Sequence, residues 1–339
     1  MKTARWIVLA GLTLVPAPAL AGSPERLGTS GADELRLPVG VRSLALGGSD
    51  VGSVTGVEAL YYNPAGIAVG AASTEVLFSH ARLIADMDLN YAALTQKLGD
   101  VGTLGLSVKA LSIGDIPRTT ETAPDGTGEI FSPTFVVIGA SYGRQVTDRV
   151  AFGGTVSYVS EHILQESARG IAFDLGFQYD TDYRGLRLGL AMKNVGPSAQ
   201  FTGTDFERLQ HVQGDDPTAA NRALSGSSGD FELPTWFQFG LSYPALHGPQ
   251  GVLNVHGLYM SNSFMVDEGR VGAEYVYRKD YALRAGYKIT SDNNDLYGFT
   301  YGAGLRVGIG ASHMWLDYAG QTVSDFFDDI QHVALTLQF

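Results

Sequence analysis

The chain has 339 residues, 45% apolar and 17% charged, with a formal charge of −12 and a mean hydropathy of +0.03. That is too apolar for a disordered chain and too acidic for a nucleic-acid partner. Cysteine is absent, which removes disulfides, thiolate nucleophiles and Cys-ligated zinc, while glycine, at 43 residues, is about twice its usual share without a Gly-X-Y period.

Residues 1–21 read as an export signal. Lys2 and Arg5 form the basic start, 6–15 the apolar run, and Ala19-Leu20-Ala21 the cleavage site. Pro16 and Pro18 interrupt the run, which is too short for a membrane anchor. No later apolar run reaches the length of a membrane helix. Removing the signal takes away two basic residues and leaves a charge of −14.

Residues 22–72 show no long alternation. Thr55-x-x-Glu58 fits a capping box, and Asn63-Pro64 fits an N-cap followed by proline at the first helical position. Gly66 suits a turn conformation. A compact, kinked segment of this kind fits inside a wide barrel as a hatch, which buries its apolar residues; the alternative is a periplasmic extension. The expected domains are therefore 1–21 signal, 22–72 hatch and 73–339 barrel.

From residue 73 the chain alternates with a period of two. Ile171, Phe173, Leu175, Phe177 and Tyr179 lie on one face, with Ala172, Asp174, Gly176, Gln178 and Asp180 on the other. Fourteen strands are predicted at 74–81, 88–97, 102–112, 132–144, 149–160, 168–180, 184–194, 234–243, 251–261, 268–278, 281–290, 295–307, 311–318 and 329–339. The break at Gly308-Ile309-Gly310 is the least marked. Short links follow even-numbered strands and long ones, such as 113–131 and 195–233, follow odd-numbered strands. A soluble sandwich also alternates, but it does not explain this parity. The fold class is all-β, a transmembrane antiparallel up-and-down barrel of about fourteen strands with an N-terminal hatch.

The last strand alternates Val333, Leu335, Leu337 and Phe339 with polar or small residues and ends on the aromatic. This resembles the signal read by barrel-assembly machinery, an expected partner during biogenesis. The stretch RSLALGG…VEALYYNPAG at 42–66, with Leu316-Asp317-Tyr318-Ala319 and the terminal strand, resembles the PorV/PorQ family, which belongs with FadL-type outer-membrane proteins. The resemblance implies a fourteen-stranded barrel with an internal hatch in the outer membrane of a Gram-negative-type envelope. It implies two roles. FadL-type relatives pass fatty acids and other hydrophobic molecules; PorV-type relatives serve type IX secretion and cell-surface attachment of exported proteins.

The candidate ligand path runs past Leu44, Leu46, Leu60, Tyr61, Tyr62 and Ile67, with Asn63, Pro64 and Gly66 setting the hatch's shape. Candidate lumen charges are Arg270, Glu274, Arg278, Arg284, Lys288 and Arg306, with Lys109, Arg187, Lys193, Asp174, His313 and Asp317. These arginines either attract an anionic head group or pair with hatch and lumen carboxylates such as Glu58. The acidic run Asp292-Asn293-Asn294-Asp295 has oxygen ligands suited to calcium but no EF-hand spacing. His256 and His313 fall on inner faces without a catalytic motif, so neither an enzyme, a cofactor nor a metal site is expected. The expected partners are outer-membrane lipids and either a hydrophobic or amphipathic ligand or an exported protein gripped by the outer loops.

Overall fold

The computed structural model describes residues 26–210, 222–292, 295–324 and 327–339. The export signal expected over 1–21 lies outside them. Fourteen strands form the wall: β1 Thr74–Arg82, β2 Asp88–Lys97, β3 Thr103–Ser112, β4 Thr134–Thr147, β5 Val150–Ile163, β6 Glu166–Asp180, β7 Arg187–Val195, β8 Trp236–His247, β9 Gly251–Asn262, β10 Glu268–Tyr277, β11 Tyr281–Thr290, β12 Tyr297–Ile309, β13 Ser312–Val323 and β14 Ile330–Gln338. Each strand pairs antiparallel with its successor. β1 pairs β14, with Glu75 opposite Gln338 and Arg82 opposite Gln331, so the sheet closes and leaves no edge.

The alternation decides which face is which. In β6, Ile171, Phe173 and Leu175 are 47%, 46% and 65% exposed, while Ala172, Asp174 and Gln178 are at most 6% exposed. The apolar face looks outward and the polar face inward, the inverse of a soluble protein and the arrangement that lipid solvation demands. The terminal residues obey it: Val333 and Phe339 are exposed on the outside. The uncertain break is a two-residue turn, Ile309 opposite Ser312, with Gly310 at φ +62°.

The two long links are more structured than the sequence pattern suggests. The first carries a hairpin of Ile116–Pro117 with Ile130–Phe131. In the second, Phe201–Gly203 adds to the long end of β6, and Glu207–Gln210 pairs with Arg222–Ser225. Its return arm turns inward: Leu233 is buried, and Glu232 bridges Ser30. The hydrophobic residues Ala199, Phe231 and Leu233 in this polar stretch cover the end of the lumen, and alternation gives no hint of that.

Residues 26–72 lie inside the wall. The first contacts are at the long-loop end, where Arg26 pairs with Glu232. Two short helices follow, α1 Val41–Ala45 and α2 Ala59–Tyr62, with the 3-10 turn Gly56–Glu58 between them. The segment reaches the short-turn end at Ser73, whose N–H donates to the Phe339 carbonyl.

Candidate functional site

Glycine explains how the hatch seats. A Cβ on Gly153 would lie 2.2 Å from the Pro64 carbonyl oxygen, and one on Gly176 would lie 2.2 Å from Asn63 Oδ1. On Gly189 it would meet the Val51 carbonyl, on Gly286 the Gly47 nitrogen, and on Gly302 the Ala45 side chain. The hatch therefore rests against wall backbone on many strands, where any larger residue would push it off. Part of the glycine excess is this footprint.

Asn63 ties hatch to wall. Its Nδ2 donates to the carbonyls of Val51 at 2.9 Å and Phe177 at 3.1 Å. Its Oδ1 accepts from the Ala65 N–H, so the expected N-cap before Pro64 forms. Gly66 serves a different purpose from the expected turn: its φ is ordinary, but a Cβ would lie 2.1 Å from the Val54 carbonyl oxygen. The expected capping box also fails. Thr55 precedes a 3-10 turn without a side-chain cap. Glu58 instead accepts from the Arg42 and Ser43 N–H groups at 3.0 and 3.1 Å, capping α1 from a distant turn. After α1, Gly47 and Gly48 take positive φ and their N–H groups close on the carbonyls of Leu44 and Ser43.

Ser43 Oγ lies 3.0 Å from both Asp50 Oδ2 and Glu58 Oε2. One hydroxyl proton cannot serve two carboxylates, so the second contact calls for a proton on a carboxyl group. Burial pushes the Glu58 carboxyl up to about 7, with Arg42 opposing and Asp317 and Asp50 adding to the shift.

The lumen charges form networks. Arg42 reaches Glu274 in a fork, both contacts at 2.9 Å, and Arg284 bonds Glu274 at 2.8 Å and Asp317 at 2.6 Å. The Arg284 side chain is 1% exposed. Lys193 pairs with Asp174 and also donates to the Tyr61 carbonyl. Lys109 donates to the Leu35 and Leu37 carbonyls. Arg270 pairs with Glu268 and donates to the Gly47 carbonyl, and Lys288 pairs with Asp295. Arg187 pairs with Asp180 and is half exposed. Arg278 is not a lumen charge. It sits exposed in the turn after β10 at φ +51°, where strand parity no longer applies. Arg306 shares the inward face of Gly302 and Gly304, and its Nε has no hydrogen-bond partner among the described residues. The residues that fix the hatch are thus Arg42 and Asn63 as much as the strand arginines. Asn293 and Asn294 of the acidic run lie outside the described residues.

The hatch stands between cavities at the two ends. Toward the short turns, a cavity of about 560 Å³ is lined by Arg42, Ser53, Arg187, Ser242 and His256. Another of about 250 Å³ lies beside Glu58, Glu274 and Asp317. Toward the long loops, a third of about 520 Å³ is floored by Leu44, Gly47, Gly48, Tyr61 and Tyr62. Its sides carry Leu37, Trp236, Gln238, Met260, Met265, Glu268, Arg270, Lys288 and His332. Tyr61 and Tyr62 meet edge to face at 5.0 Å. The size suits a small ligand, and the lining mixes apolar walls with charged and polar groups, Arg36, Glu268, Arg270, Lys288 and His332 among them.

Of the expected path residues, Leu44, Tyr61 and Tyr62 face this cavity. Leu46, Leu60 and Ile67 do not: they are buried against wall glycines 272, 105 and 143 and anchor the hatch. The sequence reading missed Trp236, Gln238, Met260 and His332. All four are on inward faces of strands, so parity was the available signal.

The fold matches solved structures closely enough to compare. The Ralstonia pickettii toluene transporter TbuX superposes with a TM-score of 0.55 at 14% identity, covering 88% of this chain and 97% of that one. The Pseudomonas putida toluene transporter TodX gives 0.55 at 15% identity over 88% and 96%. A Pseudomonas aeruginosa FadL homologue gives 0.51 at 10% over 89% and 98%. The fold is thus that of FadL-type barrels. No family model matches the chain, and no curated protein does.

Proposed function

We propose that the chain is an outer-membrane channel for a hydrophobic or amphipathic small molecule, captured in the long-loop cavity and released past the hatch. The observation that carries this is the cavity of about 520 Å³ floored by hatch residues Leu44, Tyr61 and Tyr62. A ligand resting there touches the element that must move for it to pass. The exposed apolar wall supports residence in a bilayer. The neighbours described as toluene transporters and a FadL homologue support the class of cargo. Affiliation with PorV/PorQ rests on the hatch motif and terminal strand alone. The secretion role drawn from PorV-type relatives finds no support in these neighbours, two of which are described as toluene transporters. The return arm of the second long link packs Phe231 and Leu233 on hatch residues Ala32 and Leu35, which fits a cover at that end.

The test is a reversible lock. A Cβ on Gly240 would lie 3.1 Å from Val51 Cβ, within a small shift of disulfide geometry, and the chain has no other cysteine. In cells of a Gram-negative host, the Val51→Cys, Gly240→Cys protein should support uptake of labelled toluene or oleate only after reduction. Uptake that ignores the oxidised lock refutes gating by the hatch. No chain-dependent uptake of either probe refutes transport.

A further inference from the structure

The transport reading leaves the ligand's head group open, and the walls of the long-loop cavity bear on it. Trp236 and Gln238 stand two residues apart on the inward face of β8, about 7 Å along the strand. They are 6% and 5% exposed, and both line the cavity. Among the described residues neither Trp236 Nε1 nor Gln238 Oε1 has a hydrogen-bond partner, and on the same cavity Arg270 Nε and His332 Nε2 also lack one. One N–H of the Gln238 amide is directed at the Met260 sulfur at 3.2 Å. One wall thus presents an unused donor beside an unused acceptor, each costly to leave unpaired once water is excluded. A bare hydrocarbon cannot pair with either. A carboxylate accepts from the indole N–H but has no proton to give Gln238 Oε1. A hydroxyl group has both functions, an acceptor for an indole N–H and a donor for an amide oxygen.

We infer that the cavity selects an apolar molecule carrying a hydroxyl group, a phenol or an alcohol, and that Trp236 and Gln238 are its specificity determinants. The apolar body lies against Leu37, Tyr62, Met260 and Met265. This inference rests on the transport reading and narrows it. Two polar atoms left unpaired by the wrong ligand are the kind of feature that discriminates strongly between an analogue with a hydroxyl and one without.

The purified full barrel in lipid nanodiscs is titrated calorimetrically with 4-ethylphenol, ethylbenzene and 4-ethylbenzoate. The phenol should bind roughly tenfold more tightly than ethylbenzene, the value of one net hydrogen bond. Trp236→Phe keeps the ring and loses the donor; Gln238→Leu keeps the shape and loses the acceptor. Each should shrink the preference to below about threefold. Heat-modifiable migration checks that both variants fold, and either one suffices. Equal affinity for phenol and ethylbenzene, tightest binding of the benzoate, or a preference that survives both substitutions overturns the inference and spares transport. If none of the three binds, the cavity is not a ligand site and both readings fall.

Discussion

Asn63 offers the sharpest test of how the hatch is held. It is fully buried and makes three hydrogen bonds, two within the hatch and one to the wall carbonyl of Phe177. Asn63→Ala removes all three partners where no water can replace them. Gln178 Nε2 also reaches the Val51 carbonyl, at 3.2 Å, so that group keeps a partner. The remaining losses are the bond to the Phe177 carbonyl, which keeps its place in the sheet ladder, and the bond to the Ala65 N–H, at about 1 kcal/mol each. The sum of about 2 kcal/mol corresponds to roughly thirtyfold in local opening. Hydrogen exchange over residues 51–66 should accelerate by about that factor, while heat-modifiable migration of the barrel is retained. Asn63→Asp should be worse, because it keeps the acceptor for Ala65 but turns a carboxylate toward two carbonyls. Unchanged exchange in Asn63→Ala would show that the hatch is held elsewhere and would refute the reasoning.

Arg284→Met should cost about 3–5 kcal/mol by stranding Asp317 in the buried network, read as a lower urea midpoint in vesicles; Arg278→Met, in its exposed turn, should shift that midpoint little. Glu58 carries a folded-state value of about 7, above the usual carboxylate value. Its contribution is therefore complete in acid, below the unfolded value, and is lost as pH rises through about 7, so hatch exchange should speed up between pH 5 and 8, and Glu58→Gln should flatten that dependence. Gly153→Ala drives a methyl into the Pro64 carbonyl and should destabilise hatch seating by about 1–3 kcal/mol, seen as raised ion conductance in planar bilayers. Gly154→Ala, whose Cβ would meet nothing nearer than 3.4 Å, should leave conductance unchanged.

The wall was legible because period-two alternation is a local property, and each strand records its own two faces. All fourteen strands stand where alternation places them, with ends that move by a few residues where turns begin. Arg278 shows where the rule stops. Its parity with Arg270 and Glu274 points it inward, but the chain leaves the strand at Tyr277 and enters a left-handed turn. Thr55 and Glu58 show a second limit. Their spacing is right for a box, yet the tertiary structure offers Glu58 the free N–H groups of α1, and that contact wins. Which glycine faces which hatch atom depends on the closure of the whole barrel, so a high glycine count could be seen in the sequence but not assigned.

Satisfied and unsatisfied polar groups differ in what they can do for a ligand. Arg284 was a natural candidate to attract an anion. With Nε and one terminal nitrogen bonded to carboxylates and almost no exposed surface, it cannot greet a ligand without first abandoning Glu274 or Asp317. A charge already paired in a buried network holds structure; recognition requires groups that are placed but not yet spent. Toward the long loops such groups are Trp236, Gln238, Arg270 and His332, beside the tyrosines of the floor, and toward the short turns His256 Nε2 and Arg306 Nε are also without a partner among the described residues. The paired charges toward the short turns keep the hatch in its seat, and the unspent donors and acceptors toward the long loops give a ligand something to gain by entering. A substitution that frees Arg284 should therefore loosen the hatch before it changes what the cavity binds.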